Sequence, residues 1–129
     1  MEKITEVIIG EHTGIFLLLS ESSTAYVLDL TEQPKVARLP RFKDGRHSDP
    51  SSWDGILFPI VKIVAMHPET GERFPGQVKV GHATYGEADT GTGIYPNDTW
   101  WLSRTVESIE QVTRDELDGR INRRGVGEE

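Results

Sequence analysis

The chain has 129 residues, room for one domain and little else, and no cysteine, which excludes a disulfide framework, thiolate metal sites and a cysteine nucleophile. Charged residues make up 27% and hydrophobic residues 36%, and 21 acids against 14 Lys and Arg leave a net charge of −7. That balance disfavours nucleic acid and anionic membranes as general partners, and no apolar run is long enough for a membrane span or a signal sequence.

The expected molecule is a cytoplasmic single β-rich domain over residues 1–124, with a disordered tail at 125–129. Ile4 to Ile9 is a short apolar-rich strand closed by Gly10. Gly14 to Leu19 is a continuous apolar run, too short for a normal helix, and reads as a strand covered on both faces. After the turn Ser20 to Ser23, the run Thr24 to Leu30 puts Tyr26, Leu28 and Leu30 on one face, as in a half-buried hairpin strand. Pro34 to Leu39 reads as an edge strand, because its flanking prolines lack a ladder donor. A second hairpin is expected from Ile60 to Met66, through His67 to Gly71, to Gln77 to Val80.

Thr99 to Ser103 and Thr105 to Val112 would complete the sheet, although Val106, Ile109 and Val112 also recur at helical spacing. Thr113-Arg114-Asp115-Glu116 is a capping-box pattern that starts a C-terminal helix, with Leu117 and Ile121 as its apolar stripe, Arg120, Arg123 and Arg124 near its end, and Gly125 closing it. Phe42 to Gly55 and Gly81 to Asp98 carry the turn punctuation of long loops. These elements add up to a mainly β fold, a small barrel or rolled antiparallel sheet with one short C-terminal helix. Its expected core is Phe16, Leu18, Tyr26, Leu28, Val61, Ile63 and Ile109.

Motifs for chemistry are few. Asp89-Thr90-Gly91 matches the catalytic triplet of aspartic proteases, which need two carboxylates sharing a proton and hence a dimer of so short a chain. The hydrophobic lead-in is missing, since Gly86-Glu87-Ala88 precedes Asp89, and Asp89→Asn is expected to leave fold and function intact. His12, His47, His67 and His82 lack the close spacing of zinc ligands. Gly91-Thr92-Gly93 runs into Ile94-Tyr95-Pro96, where the proline argues against a phosphate-binding helix start. Asn97-Asp98-Thr99 is formally a glycosylation sequon, without meaning in a cytoplasmic chain. No catalytic residue, metal ligand or cofactor is assigned.

Charge placement says more. Residues 1–34 carry six acids and one base, residues 35–46 carry Lys35, Arg38, Arg41, Lys43 and Arg46 against Asp44, and residues 80–110 carry five acids and Arg104. The basic segment is suited to an acidic partner, to phosphates, or to the chain's own acids. Trp53 lies in a polar loop. Trp100 and Trp101 are adjacent in a strand, so they leave by opposite faces and cannot both enter one core.

Ser23-Thr24-Ala25-Tyr26-Val27-Leu28-Asp29-Leu30, Val36-Ala37-Arg38-Leu39-Pro40, and Trp100 to Glu110 with Val106 and Ile109-Glu110 resemble short uncharacterised β-rich proteins of actinobacteria and their bacteriophages. Those proteins pair a Ser/Thr-x-Tyr-x-Leu-Asp-Leu hairpin with a terminal Val-x-x-Ile-Glu strand. Leu102-Ser103-Arg104-Thr105 departs from their Ser/Thr-rich lead-in to that strand. The resemblance implies an accessory protein and no catalytic residues.

The expected function is a non-enzymatic interaction module, such as a modulator of a host protein or a minor virion component. Its candidate surface comprises Trp100, Trp101, Trp53, Lys35, Arg38, Arg41, Lys43 and Arg46, and its partner is an unknown protein or a second copy in a homodimer. The alternatives are a small hydrolase using Asp89 and a nucleic-acid-associated protein using Lys35 to Arg46.

Overall fold

A computed structural model describes residues 4–21, 24–40, 42–43, 46–47, 55–89 and 99–116. The strands in chain order are β1 (Glu6–Ile8), β2 (Ile15–Ser20), β3 (Thr24–Asp29), β4 (Lys35–Pro40), β5 (Phe42–Lys43), β6 (Arg46–His47), β7 (Phe58–Met66), β8 (Arg73–Pro75), β9 (Gln77–Lys79), β10 (Ala83–Ala88), β11 (Thr99–Leu102) and β12 (Val106–Val112). The main sheet runs β11-β10-β7-β4-β3-β2-β12, with β8 attached to β7, and every pairing is antiparallel. β1 pairs with β9, and β5 with β6. Among the described residues no helix is long and apolar enough to cross a membrane.

The sheet is rolled and is not closed into a barrel. Its two terminal strands are consecutive in the chain, because residues 103–105 carry the backbone from β11 into β12. The roll is tied by Val106 N–H donating to His82 C=O (2.9 Å), Gly81 N–H donating to Val106 C=O (2.9 Å), and a bridge between Ile4 and Ile109. The ambiguous segment 105–112 is thus a strand. Its β-branched residues pack on β2, with Ile109 opposite Leu18.

Strand alternation builds two apolar clusters. Phe16, Leu28, Val36 and Phe58 form one row across β2, β3, β4 and β7, and they join Leu18, Tyr26, Ile63, Trp101 and Ile109 in the main core. Leu17, Val27 and Ala37 form the matching row on the reverse face, with Ile15, Ala25 and Leu39. β3 is therefore buried on both faces, not half-buried, and Leu57 and Val112 pack against that reverse cluster.

Four further expectations are corrected. β4 lies inside the sheet, between β3 and β7; Pro34 is tolerated because it precedes the strand and offers only its carbonyl, which accepts from Ile60 N–H at 3.0 Å. Val61 is 47% exposed: the ladder sets Glu87 opposite Lys62 but Ala88 opposite Ile60, so Val61 is the extra residue of a bulge and the strand phase flips there. The hairpin partner of β7 is β8, because Gly76 turns the chain at φ 74° and sends β9 to β1. The segment assigned to a loop from Gly81 contains β10, a strand paired on both sides.

The capping box forms as its sequence specifies. Glu116 N–H donates to Thr113 Oγ1 at 3.1 Å, and Thr113 N–H donates to Glu116 Oε1 at 2.7 Å, opening a helix at 114–116. Leu117, Arg120, Ile121, Arg123, Arg124 and the tail 125–129 lie outside the described residues.

Arg114 in that first turn reaches back to Asp29 at the end of β3, with Nη2 2.9 Å from Oδ2. Asp29 also accepts from the hydroxyl (2.6 Å) and N–H (3.1 Å) of Thr31. Burial of this carboxyl raises its pKa, but the hydrogen bonds from Thr31 and Arg114 outweigh burial and hold it below the ordinary aspartate value. The charged form is thus favoured in the folded protein. Its stabilising effect is present above the unfolded pKa of about 4 and is lost as pH falls through the folded value. Asp29→Asn is expected to cost about 1.5–3 kcal/mol at neutral pH. Urea unfolding at pH 7 and near pH 3 checks this: the gap between variant and wild type should shrink on acidification, and a constant gap would contradict it.

Candidate interaction surface

The two adjacent tryptophans divide as strand geometry requires. Trp101 is 4% exposed and points into the main core, its ring stacked on Tyr26 at 5.5 Å and 23°. It lies flat over Gly86 on the neighbouring strand, where a Cβ would come within 2.1 Å of the indole. Trp101 is therefore a core residue and leaves the candidate surface. Trp100 is 65% exposed on the opposite face, and Leu102, with the same parity, is 55% exposed.

Trp100 does not stand alone. Its ring stacks beside Tyr85 of β10 at 6.4 Å and 25°. The Tyr85 hydroxyl donates to Glu87 Oε2 at 2.5 Å, and this bond to a carboxylate raises the phenol pKa, so the group stays a donor. Lys62 of β7 places its Nζ 6.0 Å from the Tyr85 ring centre. In register, Trp100, Glu87 and Lys62 form one row across three strands, and Leu102, Tyr85 and Val64 form the next. The result is an apolar patch of Trp100, Tyr85 and Leu102 with one acid and one base at its rim.

Among the described residues of the basic segment, Lys35 and Arg38 do not share a face. They lie three apart on β4; Lys35 is in register with Asp29, and Arg38 with Tyr26. Lys43 and Arg46 are cross-strand partners in β5 and β6. Arg41 and Trp53 lie outside the described residues.

The other sequence candidates have plain structural settings. Asp89 follows β10 and its N–H donates to Pro59 C=O at 3.0 Å, while Thr90 to Asn97 lie outside the described residues. The fold brings His67 and His82 edge to face at 5.3 Å, a proximity their spacing does not announce. His67 Nδ1 accepts from the N–H groups of Glu69 and Thr70, both at 3.2 Å, so the lone pair of that nitrogen is already used by the turn. His12 Nδ1 accepts from Ile8 N–H at 2.9 Å in the same way. Both rings would have to give up backbone bonds to bind a metal ion through Nδ1. Among the described residues no three His, Asp or Glu side chains gather as a metal site. His47 lies in β6, opposite Phe42.

Parity in the sequence says only that the two tryptophans part to opposite faces. The register assigns Trp100 to the outer one, beside Leu102, Tyr85, Glu87 and Lys62, which the sequence reading did not name for this surface. Parity from Trp100 reaches Leu102 directly. Tyr85 and Glu87 could have been found only by recognising β10, whose inward positions Thr84, Gly86 and Ala88 are small, with Trp101 lying over Gly86.

No family model matches this chain, and neither a curated protein nor a solved structure matches it.

Proposed function

We propose that this chain is a non-enzymatic binding module whose working surface is the outer face of β11, β10 and β7, and whose partner is a protein. The observation that carries this reading is Trp100, 65% exposed yet held in register and stacked on Tyr85. An ordered indole left in water forfeits much of the roughly 150–250 Å² that an aromatic side chain can bury, and tryptophan is enriched at interface hot spots. Leu102 extends the apolar area, while Glu87 and Lys62 supply the polar rim typical of protein interfaces. One lysine beside one glutamate, on a chain of net charge −7, suits a protein better than a nucleic acid. The resemblance to actinobacterial and phage proteins supports an accessory role, as a modulator of a host protein or a minor virion component. The acidic, cysteine-free composition is in keeping with a cytoplasmic setting.

A photo-crosslinking residue placed at position 102, in cells that naturally make the protein, tests this reading. A discrete adduct is expected from position 102 and not from Glu69, which is exposed on the β7–β8 turn. Asp89→Asn should leave that adduct unchanged. No adduct at 102, or equal adducts from both positions, would contradict the proposal.

A further inference from the structure

We propose that the partner on this face is a second copy of the chain, joined edge to edge through β11; this rests on the binding role assigned to the face above. β11 ends the sheet, and among the described residues no strand pairs with its outer side. Ser103 N–H donates to Thr84 C=O at 2.8 Å, so the backbone groups of residues 99, 101 and 103 turn toward β10. Those of Trp100 and Leu102 therefore turn away from it, toward the open side. Edges of this kind are normally blunted by lysine, proline or a bulge. From Thr99 to Ser103 the strand has neither charge nor proline.

The register follows from the side chains. A two-fold axis at Trp101 sets Trp100 opposite Leu102 of the second copy and Leu102 opposite its Trp100, so both exposed side chains gain an apolar neighbour. An axis at Trp100 or at Leu102 pairs one of them with itself and sets the other opposite a charged residue. The interface is then isologous, with Trp100 and Leu102 at its centre, Tyr85 beside them, and Glu87 and Lys62 further out. Charge permits the approach. The copies meet along a neutral strand, where no acid of one faces an acid of the other, and the net −7 acts only at ranges that salt screens. Two short strands bury far less than the roughly 800 Å² per partner of a standard interface, so the dimer is weak and concentration-dependent.

Sedimentation equilibrium of the full chain, from about 5 to 500 μM, is the first test. The average mass should climb from 14.5 kDa toward twice that value across the range. Leu102→Lys, a change at an exposed position, should weaken association at least about tenfold. A wild type that stays monomeric throughout, or a Leu102→Lys chain that dimerises equally, overturns the proposal.

Because the chain has no cysteine, the register can be read directly. Residues 100 and 102 of the two copies would face each other at about 5.5 Å between Cα atoms, within disulfide range. A mixture of Trp100→Cys and Leu102→Cys should oxidise to a covalent dimer that neither variant forms alone to the same extent; equal yields from either variant alone overturn the register. If the wild type is monomeric but position 102 crosslinks a different protein, self-pairing falls and the binding face stands. No adduct of any kind removes both.

Discussion

Gly86→Ala is expected to destabilise the protein by about 3 kcal/mol, although it adds a single methyl group. The new Cβ would lie 2.1–2.6 Å from three carbon atoms of the Trp101 ring, closer than real contacts allow. The indole has little room to swing aside, because its ring also stacks on Tyr26 and it sits within the main core. Relief must come from a shift of β11 away from β10 or from an off-rotamer indole, and either disturbs the strand that carries Trp100. Trp101→Leu should itself cost several kcal/mol by opening a cavity, but much less when alanine already occupies position 86. A double-mutant cycle by urea unfolding measures this coupling, expected at about 1–2 kcal/mol. Additive losses would mean that Trp101 does not rest on Gly86.

The second large effect contrasts two aliphatic residues that look alike in sequence. Leu28 is fully buried in the row Phe16–Leu28–Val36–Phe58, and Leu28→Ala should cost about 2–5 kcal/mol. Val61→Ala, at an exposed bulge position, should cost under about 0.5 kcal/mol. Thermal or urea unfolding of the two variants separates the cases, and equal losses would contradict the bulge and the strand phase on its far side.

That pair also marks where sequence reasoning carried through and where it stopped. The run from Ile15 to Leu30 is legible because uninterrupted apolar residues, a short turn and alternation specify a hairpin with little competition. The capping box is legible because both of its bonds lie within four residues. Val61 is not, since alternation from Ile63 assigns it inward and only the partner strand shows the extra residue. β10 is hidden for a related reason. Its inward residues are small, its glycine resembles loop punctuation, and the apolar mass that stabilises it is contributed by Trp101 of the next strand. Asp29 meets Arg114 across 85 positions, and no local pattern encodes that contact.

The same limit applies to the candidate surface. Adjacent tryptophans in a strand announce that one must face outward, and the register decides that it is Trp100. Tyr85, Glu87 and Lys62 join it through strand neighbours distant in sequence. The basic residues Lys35 and Arg38 form a charge cluster on paper, but their odd spacing sends them to opposite faces of an internal strand.

In the proposed binding role, Trp101 locks the fold while Trp100 is offered to a partner. Fluorine NMR of 5-fluorotryptophan-labelled protein, with resonances assigned by single Trp→Phe variants, tests it most directly. The Trp100 resonance should show a large H2O–D2O solvent shift in dilute protein and should move as protein concentration rises or a partner binds. The Trp101 resonance should show neither response. A Trp100 resonance as insensitive to solvent as that of Trp101, or unmoved by both concentration and partner, would contradict it.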